Sequence, residues 1–202
     1  MKGFFVIVIF VAINVIAFTI FAIYMTGSVN SSIKEQEELS RAALDSLMLV
    51  YVEKNIASSN YFNAVSQIPH LNAYLLSTFS NYIDTALNIP LNESLVERPL
   101  TFQKLQYTQS KIQERINQFN NTARNYAVLR TNTSYVDARK YVELITKEEL
   151  AYIKTYNEYV QQYNKLTSRV PSSIVAGFMG KFPFLEFETG TNITSKMEHI
   201  FE

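Results

Sequence analysis

The side chains able to do chemistry are few and scattered. His70 and His199 are the two histidines, and no spacing between them suits a metal-ligand pair. Cysteine is absent, which removes thiolate metal sites and disulfides. The carboxylates that stand out are Asp137 and the Glu148-Glu149 pair. Held in a cleft, such groups would serve as general acids or bases. Here they read as solvated helix charges. Glu149 interrupts an apolar stripe: it is either a buried functional carboxylate or, as expected here, a charge that reaches solvent or pairs with an arginine. His70, next to Pro69, is either a pH switch or, as expected here, a helix-surface histidine. No Gly-rich phosphate loop and no Gly-x-Ser-x-Gly elbow occurs. The sequence therefore names no catalytic, cofactor or metal residue, and a non-enzymatic protein is expected.

The elements that would carry these residues are helical. Glycine and proline number five each in 202 residues, so breakers are scarce and helix formers dominate. Basic and acidic residues balance at 18 each, which argues against a nucleic-acid partner needing excess Lys and Arg. Phe4 to Tyr24 is 21 residues without a charge, long enough to span a hydrocarbon core of about 30 Å. A cleaved signal peptide would have a shorter apolar core and a small-x-small site. A pilin-type leader ending at Gly3 lacks the acidic residue expected at Val8. Residues 1–25 therefore read as an uncleaved anchor. Lys2 places the N-terminus in the cytoplasm and the remainder outside. Asn14 within the anchor is either a tolerated polar residue or an anchor-to-anchor contact.

Residues 26–34, containing the polar run Gly27 to Ser32, read as a joint, the alternative being a helix nearly continuous with the anchor. A helix follows from Ile33 to about Ser58, with a stripe of Leu39, Ala42 or Ala43, Leu47, Val50, and Lys54 or Ile56. Ser58-Ser59-Asn60 is a candidate interruption. The next segment, 61–87, should break near Ile68, ahead of Pro69. Residues 88–100 form the longest loop. The third helix, 101–130, repeats Leu105, Ile112, Phe119 and Tyr126 every seven residues. The fourth, 136–169, carries Val142, Ile145, Glu149, Tyr152, Tyr156, Tyr159, Tyr163, Leu166 and Val170. The expected fold is all-α: a transmembrane helix, then an elongated antiparallel four-helix bundle over 35–188, with a polar tail at 189–202.

Five Asn-x-Ser/Thr sequons, at Asn30, Asn92, Asn120, Asn132 and Asn192, lie beyond the anchor and are candidate glycosylation sites in a suitable host. Pro171 should stop the fourth helix. The apolar segment after it contains Phe178, Met179, Phe182, Phe184 and Phe187. These either fold back as a cap or form an exposed partner patch. Gly177 and Gly180 would let the chain turn.

This last stretch resembles the C-terminal signature of the LemA family. Tyr156-Asn157 and Tyr163-Asn164 match its paired Tyr-Asn. Pro171, Val175-Ala176-Gly177, Phe178-Met179-Gly180 and Phe187-Glu188 match its tail, with Lys181 displaced from the usual order. Ile68-Pro69-His70-Leu71 is similar to an Ile-Pro-Asn-Leu element of the same family. The resemblance implies an N-terminally anchored membrane protein with an outward-facing helical bundle and no established activity or cofactor. The expected function is a single-pass envelope scaffold contacting membrane lipid and a protein partner or itself. The alternative is a self-assembling surface filament or array subunit with the apolar helices in its core.

Overall fold

The structure, a computed structural model, describes residues 2–68, 71–123, 126, 129 and 131–188, with backbone alone for 2–10 and 93. Its helices are α1 (Lys2–Ser66), α2 (Ala73–Leu87), α3 (Pro99–Ala123), α4 (Thr133–Ser168) and α5 (Ser172–Phe178), with a 3₁₀ turn at Glu93–Glu97. No strand occurs among the described residues. The chain divides into two units: Met1–Ser40 with Tyr159–Phe184, and Arg41–Glu158 with Leu185–Glu202.

α1 passes without a break through the joint and through the candidate interruption. Gly27–Ser32 and Ser58-Ser59-Asn60 are helical. Hydroxyl groups back-bond within the helix instead of capping new ones: Thr26 Oγ1 donates to the Ala22 carbonyl at 2.7 Å, and Ser32 Oγ to that of Ser28 at 3.1 Å. Ser58 is itself buried. Thr19, inside the apolar run, likewise donates to the Val15 carbonyl at 2.8 Å, so its hydroxyl needs no water. α1 ends at Ser66, where the break was expected. Pro69 and His70 lie outside the described residues, as do His199, Asn192 and the tail from 189 onward.

The second unit holds the four-helix core. Tyr61 and Val65 of α1, Phe79 and Ile83 of α2, Ile112, Ile116 and Phe119 of α3, and Val142 and Ile145 of α4 form one cluster. Tyr61 hydrogen-bonds Asn120, and Asn55 hydrogen-bonds Gln109, so this part of α1 and α3 run parallel. Tyr61 packs on Tyr135 and Lys54 meets Glu149, so α1 and α4 run antiparallel. Phe79 on Phe119 and Tyr82 on Tyr107 make α2 antiparallel to α3. Side-chain amides start the helices: the Asn72 carbonyl accepts from Tyr74 and Leu75 N–H, and that of Asn132 from Tyr135 N–H.

On α1 the expected stripe holds through Ala43, Leu47, Val50 and Lys54, which are buried, while Leu39 and the alternative Ile56 are exposed. On α4 the step after Glu149 is four, not three. Ile153 and Val160 are buried, Tyr152 is exposed and Tyr159 half-buried. Tyr156 and Tyr163 are core rings. On α3, Leu105, Ile112, Ile116, Phe119 and Ala123 are buried, and Tyr126 lies past its end and is exposed.

In the first unit, Ile33, Tyr163 and Ala176 are buried together, with Val29, Leu166, Val175 and Phe184 around them. α5 closes with a tight C-terminal turn. Lys181 N–H donates to the Ala176 carbonyl at 2.9 Å and Gly180 N–H to that of Gly177 at 3.1 Å. Gly180 has φ 65°, which this turn demands and glycine supplies. Gly177 sits inside α5 with no positive φ, so the freedom expected of it is not used. Lys181 also pairs with Glu37 at 2.6 Å.

Candidate functional site

Charged residues at buried stripe positions define the first candidate, in the second unit. Lys54 follows Val50 by one turn of α1, and Glu149 follows Ile145 by one turn of α4. Both are buried, and they form a direct ion pair. This corrects the reading of Glu149 as a solvated charge or an arginine partner. A position in register with the core places it inward, and a lysine on α1 neutralises it. Tyr51, one turn before Lys54, is buried and hydrogen-bonds Glu149. Burial first, then the Glu149 charge and this bond, push its hydroxyl well above the ordinary tyrosine range.

Beside the pair lies a cavity of about 240 Å³, lined by Gln106, Gln109, Gln113, Thr146 and the Tyr51–Lys54–Glu149 group among others. Gln109 donates through Nε2 to Asn55 Oδ1 at 2.8 Å. Its own carbonyl oxygen is buried and has no donor among the described residues. The cavity is large and polar enough to hold ordered water. Glu148 and Asp137 are exposed, as read. Among the described residues no three His, Asp or Glu side chains converge on one point.

The second candidate is the pair of contacts made by the C-terminal segment. In the second unit, Asn157 Nδ2 donates to the Phe187 carbonyl at 2.7 Å and its Oδ1 accepts the Phe187 N–H at 2.9 Å. Tyr156 donates its hydroxyl to the Leu185 carbonyl at 2.8 Å, and its ring meets that of Phe187 edge-on at 5.3 Å. Phe187 is buried among Tyr51, Phe102 and Tyr156. Gln106 Oε1 accepts the Glu188 N–H at 2.8 Å. In the first unit the same device recurs. Asn164 bonds the Phe184 carbonyl at 2.9 Å and its N–H at 2.8 Å, and Tyr163 stacks on the Phe184 ring at 4.6 Å. Each Tyr-Asn pair is thus a clamp that holds one phenylalanine by backbone and ring.

A profile of the LemA family matches residues 77–199, more than half of the chain and including both clamps. The chain belongs to the LemA family. Searches of curated proteins and of solved structures give no match. Family membership and the apolar N-terminal end of α1 together fit a membrane-anchored helical protein. That end is long and apolar enough to cross a bilayer by length and composition.

The remaining residues singled out in this LemA-family sequence fall as follows. Of the aromatic set, Phe187 is buried, Phe184 and Met179 are half-buried, and Phe178 and Phe182 are exposed. Cap and exposed patch are therefore both present, in different residues. Asn14 is on the exposed surface of α1 beside Val11, Val15 and Phe18. Asn30 is half-buried on α1, Asn92 caps the 3₁₀ turn, and Asn132 is exposed at the start of α4. Asn120 is half-buried, and its Oδ1 accepts from Tyr61 and Tyr135 at 2.9 and 3.0 Å.

Three buried tyrosines give a pH prediction. The hydroxyls of Tyr51, Tyr61 and Tyr156 are all raised above the ordinary value of 10.0, chiefly by burial. A raised folded-state value leaves stability intact below the unfolded value and erodes it as pH climbs above. The denaturant midpoint is expected to be flat across neutral pH and to fall above about pH 10. Urea unfolding followed by circular dichroism at a series of alkaline pH values checks this. A midpoint unchanged well past that pH would show that these hydroxyls reach solvent.

Proposed function

We propose that this LemA-family chain is a single-pass envelope scaffold, with its N-terminus in the cytoplasm and its second unit outside, which binds a helical segment of a partner protein. The observation that carries this is an apolar stripe left open on α1. Leu49, Val52 and Ile56 are 72 %, 45 % and 51 % exposed. Their three- and four-residue spacing puts them on one face, away from the buried Leu47, Val50 and Lys54. A stripe of that spacing suits another helix laid along it. Lys2 on the short side of the apolar run supports the orientation. The exposed Asn92 and Asn132 would then be open to modification in a host that glycosylates.

A photo-crosslinking residue at Val52 of the full-length chain in native membranes tests the proposal. It is expected to give a discrete adduct on a helical segment, lost when Leu49 and Ile56 are both changed to glutamate. The same probe at Lys140 should give none. Turnover of a substrate by the purified protein, or an adduct indifferent to the two glutamates, would overturn the reading. Regular polymers of this chain seen by electron microscopy of cell surfaces would replace it with the filament.

A further inference from the structure

The first unit places a second apolar face close to the end of the anchor. α5 buries Ala176 against Ile33 and Tyr163, with Val29 and Val175 beside them. Its opposite face is also apolar. Ile174 and Phe178, one turn apart, are 55 % and 90 % exposed, and the flanking Val170 and Phe182 are 79 % and 75 % exposed. A solvated helix would carry polar residues there.

The position of this face says what covers it. Val29 follows Tyr24, the end of the apolar stretch Phe4 to Tyr24, by five residues of continuous helix. That is about 7.5 Å of rise. Interfacial elements sit about 5–10 Å into the boundary between headgroups and acyl chains. The acidic Glu35 and Glu38 stand further along α1, about 16–21 Å beyond Tyr24 at the helical rise. Lys165 and Arg169, exposed and one turn apart, lead directly into Val170. Basic residues beside an apolar face suit lipid phosphates.

We infer that Val170, Ile174, Phe178 and Phe182 form a membrane-interface foot, inserted at the headgroup level of the bilayer that α1 crosses. This rests on the reading of residues 4–24 as a membrane anchor. The foot would give the first unit a second attachment beside the span, restricting its tilt.

The chain contains no tryptophan, so single-tryptophan variants are clean probes. F178W, F18W and L49W replace exposed residues and are made in the full-length chain. Each is reconstituted in phosphatidylcholine–phosphatidylglycerol vesicles with lipids brominated at shallow or deep acyl positions. F178W is expected to emit at shorter wavelength than L49W and to lose most of its emission to shallow bromines. F18W should be quenched by deep bromines, and L49W by neither. An unquenched F178W with a quenched F18W would overturn the foot and leave the anchor standing. A blue shift of F178W without quenching would mean that protein covers the face, which also overturns it. Loss of quenching at F18W as well would sink the anchor reading itself.

Discussion

Replacing Lys54 by methionine is expected to destabilise the second unit by about 3–5 kcal/mol, because it leaves Glu149 charged and alone in the core. Both side chains are almost wholly buried, with relative exposures of 2 % and 8 %. Neither can swing to solvent without opening the helix packing. The pair itself need not be strongly stabilising, since two charges were stripped of water to make it. Removing both charges together should therefore restore most of the loss. The second change is best Glu149→Gln, whose carbonyl oxygen can still accept the Tyr51 hydroxyl. Glu149→Leu would leave that hydroxyl unsatisfied, at a further cost of about 1–3 kcal/mol. Urea unfolding of the four variants in a double-mutant cycle checks this. A single K54M within a few tenths of a kcal/mol of the parent would mean the pair is hydrated through the adjoining cavity.

This pair shows where the sequence could be read and where it could not. Helix periodicity put Lys54 among two alternatives on the α1 stripe, and put Glu149 squarely on the α4 stripe. Taken alone, Glu149 reads as a charge that reaches solvent or pairs with an arginine, and nothing local chooses Lys54 over Ile56. The signal that would have found the pair was joint: two opposite charges, each at a core position, on helices that the topology makes antiparallel neighbours. The apolar run, the break after Ser66 and the third-helix heptads were legible because each rests on local pattern. Helix continuity through Gly27–Ser32 was one of two open readings, since serine and threonine hydroxyls can either cap a helix or back-bond within it. Local sequence is silent on which occurs. Tertiary packing of Val29 and Ile33 favours the unbroken form. The α4 phase slipped for a similar reason: steps of three and four both keep an apolar residue on the stripe, and only neighbouring helices choose between Tyr152 and Ile153.

The Tyr-Asn repeat was visible as a family signature, yet its purpose lies in contacts made 20 and 30 residues downstream. Asn157 takes Phe187 in the second unit and Asn164 takes Phe184 in the first. Asparagine suits the position because one side chain offers both a donor and an acceptor to one backbone residue.

Asn157→Leu is expected to cost about 2–4 kcal/mol, since it strips both partners from the backbone of a buried residue. Asn157→Asp should be nearly as harmful. It keeps an acceptor for the Phe187 N–H but sets a carboxylate oxygen against the Phe187 carbonyl. Tyr156→Phe removes one hydroxyl bond to the Leu185 carbonyl and leaves the ring contact, so about 1 kcal/mol is expected. Phe187→Ala empties the space among Tyr51, Phe102 and Tyr156 and should cost about 3–5 kcal/mol. Asn164→Leu should cost less than Asn157→Leu, because the half-buried Phe184 can recover hydrogen bonds from water. Hydrogen exchange separates clamp from core. In Asn157→Leu the Phe187 amide should exchange far faster while core amides of α3 keep most of their protection. Equal loss of protection throughout would mean that the C-terminal segment is an integral layer of the second unit. Unchanged exchange at Phe187 would mean that its ring alone holds it, and that the asparagine is not a clamp.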